Sequence, residues 1–140
     1  MKAGNAKRKG DLAMKLQTID HVVITTNNLK ACLHFYVDVL GMECDTANGR
    51  YAVKFGDHKF NIHTRPGEFL PAAEKPTPGS LDMCLIISGS LEEARKEVLK
   101  KGYPVETEIL EKHGARGNMR SFYLRDPDGN LVEISSYGVS

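Results

Sequence analysis

The chain has 140 residues, of which 41% are hydrophobic and 26% charged, and this composition predicts one globular domain with an ordinary core. A net charge of +1, and the lack of an apolar run of the ~18 residues that a membrane span needs, favour neither nucleic acid nor a membrane as a partner. The three cysteines, Cys32, Cys44 and Cys84, are far apart and form no CxxC pair. They argue against a disulfide framework and a thiolate zinc site, and predict a cytoplasmic location.

The first fifteen residues are basic, with lysine and arginine set among Gly, Asn and Ala and little that is apolar to bury. A signal peptide needs an apolar stretch of ~7–15 residues after its charges, and this segment has none. We therefore expect residues 1–15 to be a disordered tail or a remnant of cloning, and residues 16–137 to form the folded domain.

The first half of the domain follows a strand–helix–strand–strand–strand plan. A β-branched run predicts a strand, and apolar residues at helical spacing predict a helix that begins after Asn28 and ends before Gly41. Two turn signals, Asn48-Gly49 and Gly56-Asp57, separate three further strand-like runs. The predicted strands are 18–25, 42–46, 50–55 and 59–64, and the predicted helix is 29–40.

A connector at 65–80, which holds four of the six prolines, precedes a second half with the same plan. Its predicted strands are 81–88, 104–110, 119–125 and 131–136, its helix is 91–100, and a turn occupies 126–130. Leu81 and Leu91 each lie 62 residues after a similar residue of the first half, Ile19 and Leu29. This repeat predicts an α+β fold in which two βαβββ modules, 16–66 and 80–137, form curved mixed sheets around a cavity.

Strand alternation places three potential metal ligands on faces turned away from the helices. His21 lies in the first strand, His63 in the fourth and Glu133 in the last, each among apolar neighbours of the opposite face. Two imidazoles and a carboxylate suit a divalent ion such as zinc, iron, manganese or nickel. Two alternatives stay open: Glu133 pairs with an arginine at the sheet edge, or Asn61, on the face of His63, supplies the polar lining instead.

The opening run IDHVVITTNNLKACLHFYVDVLGM and the closing run FYLRDPDGNLVEIS resemble the vicinal oxygen chelate superfamily, which includes glyoxalase I, extradiol dioxygenases and fosfomycin-resistance thiol transferases. Within it, the run FGDHKFNIHTRPGEFLPAAEKPTPGSLDMCLI resembles small glyoxalase-domain-containing type 5 proteins, some of them bacterial and virulence-associated. The likeness covers nearly the whole predicted domain.

This resemblance implies a set of site residues. The metal positions of the family fall on His21, Asn61, Met83 and Glu133, with His63 two residues after Asn61. Because a thioether is a poor ligand for a hard divalent ion, Met83 is expected to pack beside the site. The implied metal ligands are His21, His63 and Glu133, with Asn61 in reserve and with Asn61 and Met83 as substrate contacts.

The implied activity is that of a metal-dependent lyase or isomerase, related to lactoylglutathione lyase, acting on a small oxygen-chelating substrate. Glu133 is the candidate catalytic base, and the Asn61 position, where the family often has Glu, points to a substrate other than that of lactoylglutathione lyase. Basic residues, Arg116 and Arg120 among them, are expected to bind an anionic substrate group, and residues 112–118 form either a lid or an ordinary hairpin loop.

Two other functions fit the same fold: a non-catalytic protein that binds a small molecule or drug, and a thiol transferase, for which the sequence has no positive sign. The resemblance also implies a homodimer in which His21 meets Glu133 across the interface.

Overall fold

Eight strands form two four-stranded sheets in this computed structural model, which describes residues 13–138. In each sheet one pair of strands is parallel and the other two pairs are antiparallel, and neither sheet closes into a barrel. The first sheet has the order β1-β4-β3-β2 and consists of β1 (His21–Thr25), β2 (Glu43–Ala47), β3 (Arg50–Phe55) and β4 (His58–His63). The second has the order β5-β8-β7-β6 and consists of β5 (Asp82–Ile86), β6 (Leu110–Gly114), β7 (Gly117–Arg125) and β8 (Leu131–Ser136).

The helices lie where the sequence predicts them. Helix α1 (Leu29–Leu33) continues directly as a π-helical segment (His34–Val39), and α2 (Leu91–Lys100) is regular. Asn28 caps α1, because its side-chain oxygen accepts a hydrogen bond from the backbone N–H of Ala31 at 3.0 Å. The repeated βαβββ plan is confirmed.

The π-helical segment explains a one-residue slip between the two halves. Gly41 lies twelve residues after Leu29, whereas Gly102 lies eleven residues after Leu91. A π turn holds one residue more than an α turn, and both glycines then end their helices with a positive φ, 81° and 78°. The first half therefore has an extra residue without any change in where its helix ends.

The two halves share one core. The cluster of buried apolar residues includes Phe35 and Ile62 of the first half and Phe122 and Val132 of the second. Each sheet thus turns its inner face toward this core and leaves its other face uncovered.

A buried polar junction also joins the halves. The Tyr36 hydroxyl donates to Asp126 at 2.7 Å, and Asp126 also accepts from the Asn130 side chain at 2.7 Å. Tyr36 is fully buried and Asp126 is 3% exposed. Asp128, in the same turn, accepts from the Thr26 hydroxyl beyond the end of β1. The closing turn of the second half is therefore tied to the helix and first strand of the first half.

The strand predicted at 104–110 is wrong: β6 begins only at Leu110. The preceding segment contacts β7 through a backbone bond from Glu106 to Tyr123 at 2.8 Å, but the Tyr123 N–H bonds to the Thr107 hydroxyl instead of a carbonyl. A side chain that takes the place of a backbone acceptor interrupts the regular ladder.

Residues 1–12 of the predicted basic tail lie outside the part that the structure describes. Within residues 13–138, no helix has the length and apolar character needed to cross a bilayer.

Candidate functional site

Each sheet has an uncovered face, and the candidate residues divide between the two. On β1 and β4, Ile24 and Ile62 turn into the core, so His21, Asn61 and His63 share the other side, which we call the first open face. In the second sheet the core-facing residues of β8 are Val132 and Ile134. Its other side, the second open face, carries Cys84, Ser121, Tyr123, Glu133 and Ser135.

His21 is the first residue of β1, and the Asp20 carboxylate orients its ring. Its Nδ1 lies 2.7 Å from the Asp20 carboxylate, and this hydrogen bond holds the pKa of Asp20 below its usual range. Because the ionised carboxylate can only accept, Nδ1 carries the proton of this hydrogen bond, and Nε2 is the ring atom that could bind a metal. A carboxylate behind the imidazole in this way is a common feature of metal-binding histidines.

The two candidates on β4 lie at different distances from His21. His21 is opposite Lys59, Val23 is opposite Asn61, and His63 is two residues further along. At about 3.3 Å per residue, His63 is displaced from His21 by about 13 Å along the strands and Asn61 by about 7 Å. His63 instead has its ring 5.2 Å from the ring of Phe69.

Two buried serines hold Glu133 on β8. The hydroxyls of Ser121 and Ser135 lie 2.6 and 3.2 Å from its Oε2, and both serines are fully buried. Both bonds reach the same oxygen, and Tyr123 is a third neighbour of this carboxylate. Buried hydroxyl donors keep this half-buried carboxylate in one orientation without a cation.

Cys84 and Tyr123 flank this carboxylate in the strand register. Burial and then the Glu133 charge raise the pKa of Tyr123 to about 12. Burial also raises the pKa of the Cys84 thiol, whose sulfur lies 3.1 Å from the Ser135 hydroxyl. Both groups are therefore neutral near pH 7.

Met83 lies on the inner side of the second sheet. It pairs with Val132 and packs against the core cluster, so it does not share a face with Glu133. The strands β1 and β5 begin at His21 and Asp82, which are 61 residues apart, so the offset of 62 that paired Met83 with His21 reverses its face.

Each of the two arginines expected to bind substrate contacts another side chain of the second half. Arg120 shares a side of β7 with the buried Phe122 and makes a two-pronged ion pair with Glu92 of α2 at 2.6 and 3.2 Å. Arg116 lies in the β6–β7 turn, with its guanidinium carbon 4.3 Å from the centre of the Tyr137 ring. The segment 112–118 forms the end of that hairpin, with Gly114 paired to Gly117.

One chain alone does not bring the predicted metal ligands together. Among residues 13–138, no three His, Cys, Asp or Glu side chains are grouped so that they could hold a metal ion. His21 and Glu133 each have a suitable donor atom, but they lie on separate open faces. The donor chemistry fits a divalent ion, and the number of donors from a single chain does not.

Sequence reasoning missed the residues that position the candidate ligands. Aspartate and serine are common in turns and strands, so only the contacts of Asp20, Ser121 and Ser135 show what these residues do. Ser121 could have been found, because it has the same parity as Tyr123 on the strand predicted at 119–125.

Comparisons with known proteins agree with this architecture. The model of the Glyoxalase/Bleomycin resistance protein/Dioxygenase superfamily matches residues 18–134. The virulence protein STM3117 of Salmonella typhimurium is 40% identical over 132 residues, which are 94% of this chain and 92% of that protein. The glyoxalase domain-containing protein RDO1 of Mycosarcoma maydis is 39% identical over 125 residues, 89% of this chain and 70% of that protein.

Solved structures show the same fold. The crystal structure of STM3117 superposes with a TM-score of 0.85 at 41% identity, covering 89% of this chain and all of that one. An integron cassette protein from the mobile metagenome of V. cholerae has a TM-score of 0.87 at 39% identity and covers 91% of this chain and all of that one. The chain belongs to the glyoxalase/bleomycin resistance protein/dioxygenase superfamily, the vicinal oxygen chelate proteins.

Proposed function

We propose that the chain is a metal-dependent lyase or isomerase of the glyoxalase type, acting on a small oxygen-chelating substrate at a site that a second copy completes. The observation that carries this proposal is that neighbouring side chains orient both His21 and Glu133. Asp20 holds the His21 ring and two buried serines hold the Glu133 carboxylate, although no complete metal site exists within the described part of one chain.

The proposed ligands are His21 of one subunit and Glu133 of the partner subunit, with a divalent ion that is zinc, nickel, manganese or iron. Asn61 is the β4 candidate nearer to His21, and its amide oxygen can serve as a further ligand or as a substrate contact. His63 stays a predicted ligand, although it lies further from His21 along the strands than Asn61 does. Such an ion supplies Lewis-acid stabilisation of negative charge on a substrate oxygen.

Glu133 is the proposed catalytic base. Because Glu133 is also a proposed metal ligand, its carboxylate would have to dissociate from the ion before it accepts a proton from the substrate. The serine hydroxyls hold the carboxylate in place on β8.

Exposed apolar side chains support the proposed homodimer. Val23 on the first open face is 40% exposed, and Ile86 on the second is 49% exposed. Each lies on the same strand face as a proposed ligand or its neighbour, so pairing of the first open face with the second open face of a partner would cover both. The same pairing would bring His21 toward Glu133 of the partner subunit.

The proposal is tested by metal content and assembly together. Protein stripped with chelator is reconstituted with each divalent ion in turn, and bound metal is measured by mass spectrometry alongside sedimentation velocity. We expect one ion per chain in a dimer, and loss of at least 90% of the bound metal in His21→Ala and Glu133→Gln.

His34→Ala is the matched control, since His34 is an exposed histidine that pairs with Asp38 on the helical side. It should bind metal like the unchanged protein. A monomer at micromolar concentration, or metal retained by both site variants, would contradict the proposal.

A second candidate is a protein that binds a small molecule without catalysis. It is favoured by two observations: within residues 13–138 no cluster of side chains could by itself hold a metal ion, and the first open face has a small cavity. A metal-free protein after reconstitution, with small-molecule binding intact, would select this function. The thiol transferase alternative and the cytoplasmic location stay predictions, the latter in keeping with three unpaired cysteines.

A further inference from the structure

A small cavity lies on the first open face, beside the proposed ligands. Its volume is about 220 Å³, which is below the roughly 300–1,000 Å³ of sites for drug-sized molecules. Strands β2, β3 and β4 form its floor, and Phe69, from the connector between the halves, forms one wall. The side chains that line it include Asp45, Arg50, Lys59, Asn61, His63 and Phe69.

Arg50 is held at this cavity by an aromatic ring. Its guanidinium carbon lies 4.0 Å from the centre of the Phe69 ring, and the His63 ring packs against the same phenylalanine at 5.2 Å. Within residues 13–138, Arg50 makes no ion pair with a carboxylate. The stacking therefore fixes the direction of the guanidinium and leaves its positive charge without a counterion.

Lys59 and Asn61 add a second cation and an amide to the lining of the same cavity. Their side chains share the face of β4 that lines the cavity. Lys59 has no carboxylate within 4 Å in the described part of the chain, although its charge acts on Asp20. The Asn61 side chain donates to no other side chain among those residues.

The one acidic residue of the lining does not cancel these charges. Asp45 lies 3.5 Å from the ammonium group of Lys54, a neighbour on β3. This pair is about half exposed and neutralises itself. Arg50 and Lys59 therefore leave a net positive charge in the cavity, with Phe69 shielding one side from water.

We propose that this cavity binds the carboxylate or phosphate group of a small substrate. Arg50 offers two parallel N–H donors to such an oxyanion, Lys59 adds a charge, and the Asn61 amide donates one further hydrogen bond. The inference rests on the proposed function for its assignment to substrate, since it names the substrate class of the same open face. The binding of an oxyanion itself does not require a metal.

The test measures anion binding by metal-free protein at low ionic strength, where electrostatic interactions are screened least. Benzoate and benzamide form a pair of nearly equal shape that differ in charge, and inorganic phosphate tests the second oxyanion. Binding is followed by amide chemical shifts in NMR titrations. We expect benzoate or phosphate to bind, benzamide to bind at least tenfold more weakly than benzoate, and Arg50→Gln to weaken the anion about tenfold.

Arg65→Gln is the matched control, since Arg65 is a nearby exposed arginine that pairs with Glu68 outside the cavity. It should change the affinity less than twofold, whereas Lys59→Gln, a second variant, should weaken binding like Arg50→Gln. Failure of both anions to bind, equal binding of benzamide, or equal effects of Arg50→Gln and Arg65→Gln would overturn the inference. The metal and assembly measurements stand apart from this test, so a protein that binds metal but no anion would retain the proposed function and lose only this site.

Discussion

Replacing Tyr36 by Phe removes one hydroxyl from the junction between the two halves and leaves the ring in place. The hydroxyl donates to the buried Asp126 carboxylate at 2.7 Å, and both side chains are almost wholly excluded from water. A hydrogen bond to a charged acceptor contributes about 1.5–3 kcal/mol, and its loss leaves Asp126 with one donor fewer and no water to replace it. We therefore expect Tyr36→Phe to lower the free energy of unfolding by about 2 kcal/mol.

Urea unfolding followed by circular dichroism measures this change. With a slope of about 2 kcal/mol per molar urea, the midpoint should fall by about 1 M while the slope stays unchanged. Protein concentration is kept constant, because a dimer unfolds in a concentration-dependent way. Tyr51→Phe is the control, since Tyr51 is half-buried and its hydroxyl has no hydrogen-bond partner among the described residues. Equal midpoints for the two variants would refute the reasoning.

Three further predictions concern other parts of the molecule. The fully buried Cys32, whose pKa burial raises to about 12, should resist an aromatic disulfide reagent at neutral pH until the protein unfolds, whereas the exposed Cys44, which lies on neither open face, should react first. Equally rapid reaction of Cys32 and Cys44 in native protein would contradict this. The Arg120 ion pair lowers the pKa of Glu92 to about 2, so its stabilisation is complete above the unfolded value near 4.5 and is lost as the pH falls toward 2. Urea midpoints between pH 5 and pH 3 should therefore fall more steeply in the unchanged protein than in Glu92→Gln, and parallel curves would exclude this role. Gly114→Ala should lower the free energy of unfolding by about 1–3 kcal/mol, because the new methyl group would collide with the Tyr137 hydroxyl and the Met119 sulfur, whereas a change below 0.5 kcal/mol, the usual range at unconstrained surface positions, would show that the hairpin adjusts freely.

Local patterns predicted most of the architecture because each sheet has one apolar face. Alternation in β1 and β8 correctly placed His21 and Glu133 away from the core, since their neighbours Ile24 and Ile134 are strongly apolar. Helix α2 was predicted with its observed bounds, because a serine cap begins it and Gly102 follows it.

Errors arose where one residue changes the register or where a contact is not local. The strand offset of 61 cannot be read from the apolar spacing, so Met83 was paired with His21 on the wrong parity. Arg120 was expected at the site because its charge, rather than its position beside Phe122 on β7, was considered. The relation between His21 and Glu133 depends on how whole sheets pack, which strand alternation does not encode.

The junction around Asp126 has a consequence for what counts as a unit in this molecule. Cut away from its mate, the first half would expose the Tyr36 ring, and the second would retain an acidic turn without its donor. Neither repeat is a self-sufficient folding module, even though each contains a complete sheet and helix. The two halves are better understood as an obligate pair of different units joined by the connector. The contact between them, and not the connector, defines the native state.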